Sequence, residues 1–140
     1  MAELRAATEA DARTIRKLIV DERLDPTSLD WRHFMVAEED DRIVGIAQVK
    51  PLPGVNEFGS LVVLPAYRGR GIAARLIQAL EARAGRPLYL ICRDRMEPYY
   101  TRFGFRRVGF WSAPPFLRLK LGAAALMRLG GVRIIGMVKE

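Results

Sequence analysis

Between Val63 and Ala73 the sequence reads Val-Leu-Pro-Ala-Tyr-Arg-Gly-Arg-Gly-Ile-Ala, an apolar run that breaks at Pro65 and resumes at Ile72. Gly69 and Gly71 allow a ligand to come close to the backbone. Arg68 and Arg70 add charge and side-chain donors, and the first turn of a helix leaves backbone N–H groups unpaired. Together these groups can hold phosphate, because the positive end of the helix dipole meets the anion where the donors are free. A tight strand-to-helix connection would use the same glycines, so spacing alone leaves both readings open.

Four more groups could move protons or acyl groups. Glu57 can accept a proton and Tyr100 can give one; the bland alternatives are a solvated strand-edge glutamate and a tyrosine packed over a sheet. Cys92, the one cysteine, could carry an acyl group. On a buried strand without an activating neighbour it is expected to be inert. His33, the one histidine, has no nucleophile nearby in sequence and is read as a surface or structural residue. With so few His and Cys residues the chain has no zinc cluster, and no metal is expected.

The elements that must position these groups follow from periodicity. A short strand around Leu4 precedes a helix that starts with a hydroxyl cap at Thr8, carries Ile15, Leu18 and Ile19 on one face, and stops at Asp25-Pro26. Residues 33–38 and 42–50 read as a hairpin turning at Asp40-Asp41, ended by Pro51, Pro53 and Gly54. Residues 58–64 form a third extended run, with a bulge expected at Gly59. The helix after the glycine loop puts Ile72, Ala73, Leu76, Ile77, Leu80 and Ala84 on one face and stops at Gly85. Residues 87–92 read as a strand, 97–102 as a short helix ending at Gly104, and 105–110 and 133–138 as strands. Central alternation with flanking hairpins predicts one α/β (α+β) domain over residues 1–140, a mixed, mostly antiparallel sheet with helices on both faces.

Composition narrows the partners. Of 140 residues half are apolar, and 23 Lys and Arg against 16 Asp and Glu give a formal charge of +7, with a pI near 10.2. A soluble globular chain that favours anions is implied. Met1 to Arg5 show no apolar leader and no run is long enough to span a bilayer, which predicts a cytoplasmic protein without stable membrane insertion.

The order Val63-x-Pro65-x-Tyr67-Arg68-Gly69-Arg70-Gly71-Ile72-Ala73 resembles the acyl-CoA loop of the GNAT N-acetyltransferases. A second segment, Tyr99-Tyr100-Thr101-Arg102-Phe103-Gly104-Phe105, resembles the aromatic segment after that family's fifth strand. With Leu4-Arg5, Asp11-Ala12 and Ile43-Val44-Gly45 the resemblance covers about residues 1–110. It implies transfer of an acyl group, acetyl by expectation, from acyl-CoA to a primary amine by direct attack in a ternary complex. It also implies that the loop amides of residues 68–73 hold the pyrophosphate and that backbone groups of Leu61 and Val63 pair with the pantetheine. The Val63 N–H would polarise the thioester carbonyl, Glu57 would act as base through water, and Tyr100 would protonate the leaving thiolate. The acceptor is left open among small molecules and proteins. Two alternatives stand beside this: a basic nucleic-acid-binding module drawing on Arg68, Arg70, Arg93, Arg95, Arg106 and Arg107, and a GNAT-like protein that binds acyl-CoA without turnover. No recognised nucleic-acid motif is present, so no specific nucleic acid is expected.

Residues 112–131 depart from the resemblance. Pro114-Pro115 and Gly130-Gly131 bound an apolar helix with Leu117, Leu119, Leu121, residues 123–127 and Leu129, in which Arg118, Lys120 and Arg128 do not share a face. A helix apolar almost all round is expected to be covered. The readings are a lid on this domain's own core, a homodimer contact or wall of the acceptor pocket, and a membrane-surface segment.

Overall fold

Two positive-φ aspartates close the first hairpin: Asp40 (φ 52°) and Asp41 (φ 59°) form the two-residue turn whose twist matches that of paired strands. This computed structural model describes the backbone of residues 1–140 and every side chain except those of Met127, Arg128 and Leu129, so the expectations made for those three lie outside the described side chains. The strands are β1 (Glu3–Ala6), β2 (Phe34–Glu39), β3 (Arg42–Leu52), β4 (Val55–Val63), β5 (Leu88–Arg93), β6 (Arg106–Val108) and β7 (Ile134–Lys139). The helices are α1 (Ala12–Asp21), α2 (Ile72–Ala84), α3 (Glu97–Thr101) and α4 (Pro115–Ala124). The strand order is β1-β2-β3-β4-β5-β7-β6. With β4 and β5 parallel and the β1/β2, β2/β3, β5/β7 and β6/β7 ladders antiparallel, this is the mixed, mostly antiparallel sheet that the sequence predicts.

The chain divides into two compact units, residues 1–50 with 59–84, and residues 51–58 with 85–140. In the first, Ile15, Ile19, Phe34, Val36, Ile46 and Val62 form the core, and α2 buries Ile72, Leu76, Ile77 and Leu80. Each such side chain removed from water contributes about 1.5–3 kcal/mol. The start of α1 differs in detail from expectation: the Asp11 carboxylate does the capping, accepting from the Thr8 N–H (2.7 Å) and hydroxyl (3.2 Å). The helix also stops earlier than Asp25-Pro26, because Arg23 turns left-handed (φ 55°) and Leu24 N–H donates to the Ile19 carbonyl (3.0 Å).

The strand irregularity expected at Gly59 sits at Ser60, whose φ is 57°. Gln48 Nε2 donates to Ser60 Oγ at 2.8 Å and ties that side chain to β3. The expected break at Pro51 does not occur, since β3 runs on to Leu52, and β4 begins at Val55.

In the second unit β4 and β5 pair in parallel at Glu57 and Tyr89. β7 pairs antiparallel with β5, Leu88 opposite Lys139 through Arg93 opposite Ile134, and with β6 on its other side. β6 is shorter than predicted, because residues Phe110–Ser112 curl into a 3-10 turn. α4 is helical only to Ala124 and tightens to a 3-10 helix over Ala125–Gly130. Leu117 is fully buried, and a Cβ on Gly136 of β7 would lie 3.3 Å from Leu121 Cδ1 and 3.9 Å from Leu117 Cδ2. That face of α4 covers β7, as a lid would. The opposite face contradicts the expectation of full cover: Leu119 is 69% and Leu126 73% exposed, with Trp111 beside them at 81%.

Candidate functional site

The connection from β4 to α2 lies wholly in the first unit. Pro65 opens a 3-10 turn, Pro65–Tyr67, in which Tyr67 N–H donates to the Leu64 carbonyl (2.8 Å) and Arg68 N–H to the Pro65 carbonyl (3.3 Å). Arg68 Nε then donates to the Val63 carbonyl at 2.9 Å, fastening the loop to the strand end. Gly69 and Gly71 both sit at φ +79°, a region where a side-chain-bearing residue costs about 1–2 kcal/mol. A Cβ built on either glycine would meet no atom within 4 Å, so both backbone faces are open to a ligand.

The N–H groups of Gly69, Arg70, Gly71, Ile72 and Ala73 donate to no other backbone group among the described residues, whereas Arg75 N–H already bonds the Gly71 carbonyl (3.1 Å). These are the unpaired donors that an anion can take up. The Arg68 N–H bonds within the turn, so among the described residues the amides without a backbone partner run from 69 to 73. Ile72 serves through its backbone alone, since its side chain is buried. A Cβ on Gly45 would come within 3.0 Å of Ile72 Cγ2 and 3.4 Å of Leu76 Cδ1, so Gly45 lets the start of α2 lie close on β3. Arg70 places its guanidinium carbon 5.1 Å from the Tyr67 ring centre and a terminal nitrogen 3.7 Å from Glu39 Oε2. Leu61 is half-buried and Val63 buried at the end of β4.

The other candidates lie in the second unit. Glu57 is not a solvated edge residue; it is 4% exposed and stands inside β4. Its Oε1 accepts a 2.6 Å hydrogen bond from Lys120 Nζ of α4. Sequence reasoning missed this pairing, because the partners are 63 residues apart and Lys120 read only as one of several scattered cations. Tyr100, on α3, packs edge-on against Phe58 (6.4 Å between ring centres), Phe105 (6.0 Å) and Tyr99 (5.2 Å). Burial, with smaller contributions from Cys92 and Tyr99, raises the pKa of its hydroxyl above the ordinary tyrosine value. That hydroxyl makes no hydrogen bond among the described residues. The Cys92 thiol is pushed up to about 11 by burial and by the carboxylates of Glu97 and Asp94, so little thiolate exists near pH 7. His33 closes a 3-10 turn, Trp31–His33, in the other unit. Among the described residues no group of three or more His, Cys, Asp or Glu could hold a metal ion, and no helix is long and apolar enough to cross a membrane.

An open loop of unpaired amides and a half-buried tyrosine are features that known proteins can be compared on. A profile described as an acetyltransferase (GNAT) domain matches residues 30–107, more than half of the chain. The chain belongs to the GNAT acetyltransferase family. Its fold matches that of N-acetylglutamate synthase from Neisseria gonorrhoeae, solved with coenzyme A and N-acetyl-glutamate, with a TM-score of 0.78 at 19% identity over 99% of this chain and 35% of that one. Rv2747 from Mycobacterium tuberculosis, in complex with CoA and NLQ, matches with a TM-score of 0.74 at 20% identity over 97% of each chain. Among curated proteins, an amino-acid acetyltransferase of Ralstonia nicotianae is 36% identical over 81 residues, 54% of this chain. The chain spans only 18% of that relative's length. The family assignment agrees with the resemblance in the loop and aromatic segments, and the family match ends before α4 begins.

Proposed function

We propose that the protein transfers an acetyl group from acetyl-CoA to a primary amine by direct attack in a ternary complex. The observation that carries this reading is the pair of left-handed glycines, Gly69 and Gly71, at the start of α2, with open space on both and unpaired N–H groups from residue 69 to residue 73. Such a seat suits the pyrophosphate of the coenzyme, and Arg68 and Arg70 supply countercharge. Leu61 and Val63 would pair with the pantetheine through their backbone, and the Val63 N–H would donate to the thioester oxygen as charge builds there.

Glu57 would take the proton that the amine must lose before it attacks. The nitrogen then bonds to the acyl carbon and loses its second proton to solvent, the carbon–sulfur bond breaks, and Tyr100 gives its proton to the departing thiolate and is reprotonated from solvent. The place of Tyr100 in the aromatic segment supports its assignment, although burial makes its hydroxyl a weaker acid than a free tyrosine. The relatives' names support a small-molecule amine as acceptor, and a coenzyme-dependent enzyme with one free cysteine suits the cytoplasm.

The deciding experiment is thermal unfolding with acetyl-CoA and with an oligonucleotide of equal charge. A ligand that binds only the native state at about 100 times its Kd stabilises by about 2.7 kcal/mol. A rise in Tm with acetyl-CoA alone is expected. A rise with the oligonucleotide alone would overturn the reading in favour of a nucleic-acid module.

A further inference from the structure

We infer that Lys120 makes the acceptor site selective for an amine that carries a carboxylate next to it, as a free α-amino acid does. The inference rests on the reading of Glu57 as the base. An amine that gives its proton to Glu57, directly or through one water, comes close to that carboxylate. That place is held by a cation of the protein's own, Lys120 Nζ at 2.6 Å from Glu57 Oε1. The acceptor ammonium therefore competes with the Lys120 ammonium for Glu57.

The competition is unequal for different acceptors. The side chains of Glu57 and Lys120 are 6% and 31% exposed, so the carboxylate is poorly hydrated and the ammonium is only partly in water. Glu57 is the one ion-pair partner of Lys120 among the described residues. A plain monocationic amine at Glu57 would set a second cation against Lys120 and take its partner, which is unfavourable where both are partly withdrawn from water. A zwitterion brings a replacement for each partner: its ammonium goes to Glu57 and its carboxylate to Lys120. Lys120 then keeps a carboxylate partner. The short, charge-assisted geometry of the resting pair is what a carboxylate of the acceptor would reproduce at Nζ. Lys120 lies in α4, outside residues 30–107 of the family match.

The test compares kcat/KM for L-amino acids with that for the corresponding amino-acid amides, in wild type, Lys120→Met and Lys120→Arg, with β- and γ-amino acids as a spacing series. Intrinsic reactivity works against the inference, because a neighbouring carboxylate raises the pKa of the ammonium and leaves less free amine in the acid than in the amide. Wild type is expected to prefer the acid, the preference to fall by about 10- to 100-fold in Lys120→Met through KM, and Lys120→Arg to keep it. Amide turnover equal to or above acid turnover in wild type, or an unchanged ratio in a folded Lys120→Met variant, would overturn the inference while leaving acetyl transfer intact. Absence of any acetyl-CoA-induced Tm shift together with no turnover of either acceptor would overturn the enzymatic reading, and the selectivity with it.

Discussion

Arg68 Nε and the Val63 carbonyl are joined at 2.9 Å, so one arginine both braces the end of β4 and carries charge into the loop that follows. Arg68→Ala is expected to weaken acetyl-CoA binding by about 10-fold at low salt and less at high salt, because the charge contribution is screened and the brace is not. Gly71→Val separates sterics from charge. Nothing in the protein lies within 4 Å of the added Cβ, so the fold loses only about 1–2 kcal/mol of backbone strain at φ +79°. The ligand face, by contrast, is filled. Calorimetry should find a folded variant with coenzyme binding abolished; unchanged affinity would remove the loop from the site.

How much of this was legible in the sequence depends on the range of each interaction. The loop was legible because two glycines, two arginines and a helix start act within a few residues, and the local backbone obeys them. The hairpin turn and α2 were legible for the same reason. Ser60 was not, since a glycine next door offered a cheaper place for the irregularity and only the contact with Gln48, on another strand, accounts for the serine. The partner of Glu57 and the exposed flank of α4 were hidden too, because both depend on where an inserted helix comes to rest on β7.

The proton-transfer residues should separate from the binding residues in kinetics. Glu57→Gln and Tyr100→Phe are each expected to lower kcat by about 10²-fold, with little change in coenzyme affinity. Tyr100→Phe keeps the ring that packs on Phe58 and Phe105, so its melting should stay near wild type. A wild-type kcat in either folded variant would take that residue out of the mechanism.

Direct attack predicts intersecting initial-rate lines and no acyl-enzyme. With its pKa near 11, Cys92 is a poor nucleophile at neutral pH, and Cys92→Ala should retain activity. Parallel lines, or an acylated Cys92 in intact mass, would show a covalent route instead.

Acid should loosen the first unit through Asp11. A two-pronged hydrogen bond from Arg5 (2.8 and 3.0 Å), aided by the Thr8 N–H and opposed by burial, lowers its pKa from 3.8 to about 2. A depressed carboxylate pKa stabilises the fold fully above the unfolded value and loses that contribution as pH falls from about 4 through 2. After allowance for the partly exposed Arg5, the contribution is about 1–2 kcal/mol. Urea melts should show Asp11→Asn weaker by that amount at pH 7 and the gap closing by pH 2; a constant gap across that range would mean that packing, not charge, explains the loss.

α4 and the 3-10 helix that continues it should respond differently to the same substitution. Leu121 packs with Leu117 over Gly136, and the 3.3 Å approach of its Cδ1 to the Gly136 Cβ position leaves no room for a hydrated carboxylate. Leu121→Asp loses those contacts and half-buries a charge, at a cost of about 2 kcal/mol or more. Leu126, 73% exposed, should tolerate Asp within about 0.5 kcal/mol. Urea melts and light scattering on the two single variants distinguish the roles that the helix can play. A destabilised Leu121→Asp beside a wild-type-like Leu126→Asp, both of unchanged mass, marks α4 as a lid on β7 and no more. A wild-type dimer that falls to a folded monomer in Leu126→Asp assigns the exposed flank to an isologous contact between two copies. Unchanged mass and stability with a raised acceptor KM in Leu126→Asp assigns it to the wall of the acceptor pocket. If Leu121→Asp melts like wild type, the lid role is lost, because a side chain that close to the β7 backbone cannot be replaced by a carboxylate without cost unless α4 is free to leave it.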